Sequence, residues 1–249
     1  MSIKLEFFND NFRLLKLKLP TRYYYFNYNE NYIKFLSIGE GIFPEDKLQT
    51  KISLRDSNAI FTTESATKVY PSSDKFGINS IDITLKNSNC EFINDELILY
   101  ENSKLIQFLK IKVDKESTFF YVDILSSGRS FESFDFASMK MRNRFIIDLK
   151  LEYFENFEVN GNEIKEYFNR HDIEKMIFSK VYIKTKNNDD FLNTLSSKGY
   201  TSFSYTKSKK MLIGVVSGAN MSKMKQKIDK VWELYRESLN KKEFNLGKQ

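Results

Sequence analysis

Apolar and polar residues alternate with a period of two along many segments of the first 160 residues. This period places successive side chains on opposite faces of a β-strand. Clusters of Asn, Asp and Ser, as at 55–59 and 86–89, separate the segments and favour turns, because their side chains bond nearby backbone groups. The pattern predicts a mainly β protein. The clearest alternations are Leu15, Leu17 and Leu19; Leu48, Thr50, Ile52 and Leu54; and Ile81, Ile83 and Leu85.

The predicted strands also repeat. Residues 52–61 (ISLRDSNAIF) align with residues 83–92 (ITLKNSNCEF), and residues 111–120 (IKVDKESTFF) form a weaker third copy. Each copy consists of a strand, a polar turn and a second strand, which is typical of stacked β layers in a solenoid-like or helix-like fold. A chance likeness among similar hairpins is the alternative explanation.

The pattern changes near residue 160, and the remaining chain is typical of a β-α-β-β-α arrangement. We therefore predict a layered β domain over 1–160 and a C-terminal α/β portion with two helices over 161–249, packed on it as a separate unit or as part of one continuous domain. The predicted strands lie at 180–185, 201–206 and 211–218, and the predicted helices at 189–199 and 219–240. The last helix has one apolar stripe suited to core packing: Met221, Met224, Ile228, Val231, Trp232, Tyr235 and Leu239.

Composition limits the available chemistry. The 249 residues include 39 Lys and Arg against 33 Asp and Glu, and the net charge of +6 permits an anionic partner without requiring one. With one His and one Cys, the chain alone cannot build a Cys/His zinc site. It has no apolar run of about 18 residues and no signal-peptide pattern at its start. We therefore expect a cytoplasmic protein without a membrane partner.

Two other functions remain open on the residues alone. A hydrolase would need Cys90 and His171, but nothing local orients them as a nucleophile and a base. Residues 21–35 interleave aromatic side chains with Arg and Lys, as in surfaces that bind single-stranded nucleic acid, although they also suit an ordinary pair of strands. A basic, aromatic-rich β protein that binds single-stranded nucleic acid is therefore the alternative to the function inferred below.

Several segments depart from generic sheet sequence. In chain order they are Gly41-Ile42 with Asp46, Thr62-Thr63-Glu64-Ser65-Ala66-Thr67-Lys68-Val69-Tyr70, Cys90-Glu91-Phe92-Ile93-Asn94-Asp95-Glu96, Gly128-Arg129, Asn143-Arg144-Phe145 and Val231-Trp232 with Arg236. Over nearly the whole chain these segments closely resemble the UreD family of urease accessory proteins, called UreH in some lineages. The residues that match the family pattern are Gly41, Thr63, Lys68, Tyr70, Gly128, Arg129, Asn143, Arg144 and Trp232.

The chain also departs from the family pattern. Glu40 and Glu45 stand where the turn around Asp46 usually has Gly, Asn94 stands where the pattern has Pro, and Phe134 stands at an acidic position. Because Gly permits a positive φ and other residues disfavour it, we expect this turn to follow a different backbone path. The resemblance identifies a divergent member.

The resemblance implies a scaffold rather than an enzyme. Members of the family are mostly β, layered proteins with two C-terminal helices, and they act in urease maturation. They bind UreF, which recruits the GTPase UreG, and they dock on the urease apoprotein in a hetero-oligomer that can dimerise. Nickel is thought to pass to urease through an internal, water-lined tunnel. We therefore expect transient Ni²⁺, no tightly bound cofactor and no nucleic-acid partner.

Asp46 and Glu91 match acidic positions of the family pattern, and they are our candidates for a weak nickel transit site. A transit path should bind the ion weakly, since thiolate or multiple imidazole ligands would hold Ni²⁺ firmly. Carboxylates and backbone carbonyls meet that requirement. The alternative is that both side chains are structural, one in a turn and one in a strand ladder.

Overall fold

The structure is a computed structural model that describes residues 2–27, 29–37, 41–129, 131–171, 177–218 and 220–248. The strands are β1 (Ser2–Phe8), β2 (Asn11–Lys18), β3 (Thr21–Asn27), β4 (Asn31–Ser37), β5 (Lys47–Arg55), β6 (Asn58–Thr63), β7 (Thr67–Val69), β8 (Gly77–Lys86), β9 (Asn89–Leu99), β10 (Lys104–Val113), β11 (Thr118–Leu125), β12 (Ser138–Ile147), β13 (Lys150–Val159), β14 (Ile177–Lys184), β15 (Phe203–Tyr205) and β16 (Leu212–Gly218). The helices are α1 (Gly161–Arg170), α2 (Asn188–Ser197) and α3 (Met221–Ser238).

The described strands form two sheets. The first has the order β13-β12-β10-β8-β5-β1-β2, and the second has the order β15-β16-β14-β11-β9-β6-β4-β3 with β7 paired to β9. Along the chain, β5, β8 and β10 of the first sheet alternate with β6, β9 and β11 of the second, and neighbours within each series run parallel. The chain therefore winds in stacked coils, which confirms the predicted mainly β, solenoid-like fold with helices near the C-terminus.

The repeated segments lie at one corner of this coil. Their turns are joined by a serine ladder, in which Ser57 donates its N–H to the Oγ of Ser88 at 3.2 Å and Ser88 donates its N–H to the Oγ of Ser117 at 3.1 Å. Equivalent positions of the three copies are neighbours in the sheet register, namely Ile52, Ile83 and Ile111. The sequence repeat is thus a structural repeat.

The apolar faces of the two sheets meet in one core, and a second core lies on the other face of the second sheet, under α2 and α3. The first core is rich in aromatic rings and includes Phe7, Ile52, Phe61, Ile83, Phe92, Ile111, Phe119, Phe145 and Tyr182. The second includes Ile60, Phe120, Val122, Val181, Ile183, Phe191 and Leu195. The helix stripe packs there as predicted, since Met224, Ile228, Val231, Trp232 and Tyr235 are buried.

The structure confirms the two predicted helices as α2 and α3 and adds α1, for which we predicted no helix. A capping box starts α1: Glu163 donates its N–H to the Oδ1 of Asn160 at 3.0 Å, and its own carboxylate accepts the N–H of Asn160 at 2.8 Å. A Cβ on Gly161 would lie 1.5 Å from the carbonyl oxygen of Phe134, so only glycine fits there. Phe168 of α1 packs against the Phe134 ring.

The second sheet continues across residue 160. Strand β14 pairs with β11, and β16 pairs with β14, so the C-terminal portion adds strands to a sheet that the N-terminal portion begins. The domain boundary between 1–160 and 161–249 stays a prediction.

The turn before β5 corrects one expectation. Glu45 has a φ of +69°, the conformation that glycine adopts most readily. The Oδ2 of Asp46 accepts the backbone N–H of Phe43 at 3.0 Å and closes the turn. The expected change of backbone path was therefore wrong at Glu45, where the contacts of the turn outweigh a steric cost of about 1–2 kcal/mol. Glu40, the other departure in this turn, lies outside the described residues.

Candidate functional site: a cavity between the two sheets

A cavity of about 470 Å³ lies between the two sheets. Residues of β7 to β14 form most of its wall, and α1 completes it. Its apolar wall includes Ile81, Met139, Met141, Phe157 and Phe178. Its polar wall includes Asn79, Asn94, Gln107, Asp123, Glu158 and Lys180.

Two further cavities adjoin this one at a bulge in β9. At this bulge β9 has one extra residue, so that Asn94 and Asp95 together face the single residue Asp123 of β11. One neighbouring cavity, of about 290 Å³, lies between β4, β5 and β7, and the other, of about 900 Å³, lies between α3, the C-terminal residues and the second sheet. Asn94 contributes to the walls of all three cavities. The bulge is therefore part of the wall of each cavity.

Two carboxylates lie at this junction, and that of Asp95 pairs with Lys225 and Lys248. Asp123 is held instead by uncharged donors. Its Oδ1 accepts hydrogen bonds from the hydroxyl of Tyr121 at 2.9 Å and from the amide of Asn94 at 3.2 Å, and its Oδ2 accepts one from Gln107 of the opposite sheet at 2.9 Å. Burial raises the pKa of Asp123 to about 6, because these hydrogen bonds offset the cost of desolvation only in part. Asn94 replaces the proline of the family pattern, and proline has no amide side chain to donate here.

The raised pKa of Asp123 predicts a pH-dependent stability. The folded state holds this proton to a higher pH than the unfolded state, so this group's contribution to stability falls as the pH rises from about 4 to about 6. Relative to Asp123→Asn, the wild type should lose about 2–3 kcal/mol of unfolding free energy over that range. Urea unfolding of both proteins at about pH 4.5 and about pH 7.5 measures this difference. Parallel pH profiles would contradict it.

A second network of polar side chains, beside Asp123, connects the two sheets through the core. Asn143 donates to the Oε2 of Glu155 at 3.0 Å and to the hydroxyl of Tyr182 at 2.9 Å, and Tyr182 donates to the same carboxylate at 2.8 Å. Lys180 forms an ion pair with the other oxygen of Glu155. Burial raises the pKa of Tyr182, which therefore stays a neutral donor. Asn143, a residue of the family pattern, thus ties the two sheets together beside the cavity.

Glu91, a predicted nickel residue, lies fully buried under α3. Its Oε1 accepts hydrogen bonds from Asn89 at 2.8 Å and Lys241 at 3.0 Å, and its Oε2 accepts them from Trp232 and Arg236, both at 2.6 Å. Burial alone would raise the pKa of Glu91, but the charges of Lys241 and Arg236 outweigh it and lower the pKa. Four donors therefore saturate this carboxylate, and it joins the family-pattern residue Trp232 to the sheet.

Other family-pattern residues meet at the turn between β4 and β5. Ile42 donates its N–H to the carbonyl of Lys68 at 2.8 Å, and a Cβ on Gly41 would lie 2.3 Å from that oxygen. Glycine therefore lets this turn approach β7. The ring of Tyr70 stacks on Phe43 at 4.3 Å.

The Gly128-Arg129 segment lies next to these residues. Arg129 forms an ion pair with Glu132 at 2.6 Å, and its guanidinium lies 4.5 Å from the centre of the Tyr100 ring. Tyr100 in turn contacts the ring of Tyr70 at 5.2 Å. Segments far apart in sequence thus share one surface.

The remaining residues that the family pattern predicts do not gather at one site. Thr63 accepts the N–H of Asp95 at 2.8 Å and so fixes the bulge in β9. Arg144 is exposed, 5.6 Å from the Phe154 ring. Asp46 and Glu91 line none of the three cavities, since Asp46 lies in the turn before β5 and Glu91 lies in β9 of the second sheet. Their role in nickel passage stays a prediction, and the contacts observed for both are structural.

The two open alternatives also have a structural context. Cys90 is buried in the core, where burial raises the pKa of its thiol, whereas His171 is exposed at the end of α1. The structure does not bring this pair together. In the aromatic segment, Tyr23 and Tyr25 pack on the core, and Tyr24 is exposed. Binding of nucleic acid stays a prediction.

Sequence reasoning missed Asp123, Glu155 and Lys180. A signal for Asp123 was present, because it is the one charged residue in the apolar strand Thr118–Leu125. In β13 polar and apolar residues alternate, and Glu155 stands at a polar position, which normally faces solvent. Its contacts come from β12 and β14, and neither its sequence neighbours nor their spacing encodes them.

The described residues contain no group of three or more His, Cys, Asp or Glu side chains placed to hold a metal ion. Among their helices, none has the length and apolar character needed to cross a bilayer. The junction instead offers the carboxylate of Asp123, which uncharged donors hold, and that of Asp95, which pairs with Lys225 and Lys248. Carboxylates that already have partners suit a weak and reversible contact with a cation. Fold and site together define a solenoid-like β protein with a polar junction inside its core.

Comparison with known proteins assigns the family. The family model described as UreD urease accessory protein matches residues 17–247. A urease accessory protein UreD from Aliarcobacter butzleri (strain RM4018) is 58% identical over 250 residues, covering 100% of both chains. Another from Staphylococcus epidermidis (strain ATCC 12228 / FDA PCI 1200) is 31% identical over 51% of this chain and 48% of its own. The chain belongs to the UreD family of urease accessory proteins.

Proposed function

We propose that the protein is a non-catalytic scaffold of urease maturation in the cytoplasm. It binds UreF, and through UreF the GTPase UreG, and it docks on the urease apoprotein. It conducts Ni²⁺ towards the urease active site as cargo, without a tightly bound cofactor. Family membership supports the place in urease maturation, and the partners follow from the family resemblance.

The observation that carries the nickel proposal is the junction of three cavities at the bulge in β9. A passing cation needs a continuous space, a partial negative environment and ligands that release it. Because the three cavities share Asn94 in their walls, we infer that they connect at the bulge. Asp123 supplies a carboxylate that is ionised at neutral pH but already held by three donors. Lys180 lies close enough to influence the pKa of Asp123, and its positive charge weakens cation binding. Such a site favours transit over storage.

The scaffold proposal is tested by co-expression with UreF and UreG of the same organism. We expect the three proteins to co-elute in size-exclusion chromatography, and we expect UreG to join only when UreF is present. Omission of UreF is the matched control. A well-folded protein that elutes alone in the presence of both partners would contradict the proposal, and salt-dependent binding of an oligonucleotide would then favour the nucleic-acid alternative.

A further inference from the structure

Strand β2 is an open edge of the first sheet. It pairs with β1 and with no other described strand, so its outer row of backbone N–H and C=O groups has no partner strand within the described residues. Such an edge is a template for one more strand. The other end of the same sheet is β13.

The side chains of β2 form an exposed apolar surface beside this edge. Leu14 lies opposite Leu5 and Leu17 lies opposite Ile3, and both partners are core residues, so these leucines are on the core side of the sheet. Yet Leu14 and Leu17 remain 38% and 40% exposed, and Leu15, at the bulge between them, is 48% exposed. The core side of the sheet thus lacks cover along this edge.

The opposite side of β2 is basic. Arg13, Lys16 and Lys18 are exposed there, and none of them forms an ion pair within the described residues. Lys16 also lies directly opposite Lys4 of β1, and like charges in that position repel each other. Glu6 of β1 lies opposite Arg13 and is the acidic residue of β1 on this side, which leaves a net positive charge. The edge therefore presents apolar groups on one side and net positive charge on the other.

We propose that β2 docks an extended segment of another protein in which acidic and apolar residues alternate. The segment adds a strand to the sheet, with its apolar side chains on the leucines and its carboxylates beside the three basic residues. The proposed function assigns no surface to its partners, and this proposal does not depend on it.

A second copy of the chain does not have this chemistry. Pairing of β2 with β2 would set Arg13, Lys16 and Lys18 against the same residues. Strand β13 does carry three acids, but each has partners within its own chain. Glu155 is held by Lys180 and Tyr182, Glu152 accepts hydrogen bonds from Thr206 and Ser208, and Glu158 pairs with Lys140. The acidic strand must therefore come from a different protein.

The test uses two fluorescent ten-residue peptides with blocked termini, one alternating Glu and Val and one alternating Lys and Val. Fluorescence anisotropy should show at least tenfold tighter binding of the acidic peptide, weakening with added salt. The double variant K16E/K18E should reverse this preference. Leu17→Asn should weaken binding at least tenfold, whereas Leu151→Asn, its matched control on the exposed face of β13, should not change it.

Three results would overturn the proposal. Equal affinity for both peptides, or binding of neither, would mean that the lysines only protect the edge from aggregation. A concentration-dependent dimer that Leu17→Asn abolishes would identify a second copy as the occupant. Unchanged peptide binding by K16E/K18E would show that the basic residues of β2 do not attract the acidic segment. Circular dichroism of each variant verifies that it is folded.

Discussion

Replacing Glu91 by alanine is expected to lower the free energy of unfolding by about 3–5 kcal/mol, because it leaves Arg236 buried without its main counter-charge. The loss should be largest near neutral pH. Since the folded-state pKa of Glu91 is lowered, its stabilising contribution is present above the unfolded value of about 4.5 and is lost as the pH falls through the folded value. Urea unfolding followed by circular dichroism measures the change.

Glu166→Ala is the matched control for this prediction. Glu166 also pairs with an arginine, Arg170, but both side chains are largely exposed, so the loss should stay below about 1 kcal/mol. Trp232 is the only tryptophan, and it donates to Glu91, so its fluorescence reports the release of α3 directly. An equal loss in both variants would show that the buried network does not hold the helix.

The coil was predictable because its information is local. Residues 52–61, 83–92 and 111–120 repeat the same strand, turn and strand, and the turn serines that appear in the sequence also form the ladder in the structure. Alternation of Leu15 and Leu17 predicted a strand at β2 as well, although a bulge at Leu15 interrupts its period and places Leu14 on the core side with Leu17. Alternation did not show whether another strand covers those leucines, which depends on where a sheet ends.

The helix α1 was not predicted, for a different reason. Its capping box, Asn160 with Glu163, is readable in the sequence, but its polar composition masked the short apolar stripe that docks it. Helical periodicity alone is a weak signal in a ten-residue helix.

The site was the least predictable part. Glu91 could be named from the family pattern, but its donors Trp232 and Arg236 lie 141 and 145 residues away, and only the fold brings them to it. The environment of Asp123 likewise depends on the fold, since its partner Gln107 belongs to the opposite sheet. The sequence shows that these carboxylates exist, but it does not show which donors surround them. Those donors, which the packing of the fold supplies, determine whether each carboxylate is charged.

Replacing Asp123 by asparagine is expected to slow nickel delivery to urease at least tenfold while leaving the assembly intact. Asparagine keeps the volume and one acceptor oxygen but removes the only negative charge that Tyr121, Asn94 and Gln107 hold at the junction. A tenfold slower transfer corresponds to a loss of about 1.4 kcal/mol of stabilisation of the cation in the transfer step. The measurement is urease activation by purified UreF, UreG and the urease apoprotein with GTP and Ni²⁺, together with size-exclusion chromatography of the complex.

The pH dependence separates a role in transit from a role in folding. With its pKa near 6, Asp123 is mostly ionised at about pH 7.5 and mostly protonated at about pH 5.5, so wild-type delivery should fall towards that of Asp123→Asn as the pH decreases. Over the same range protonation of Asp123 stabilises the fold, which means that stability and delivery change in opposite directions. Glu158→Gln is the matched control, since Glu158 lines the same cavity but is more than half exposed and paired with Lys140. If Asp123→Asn delivers nickel at the wild-type rate at about pH 7.5 in an intact complex, the cation does not pass this carboxylate, and the cavity has another role.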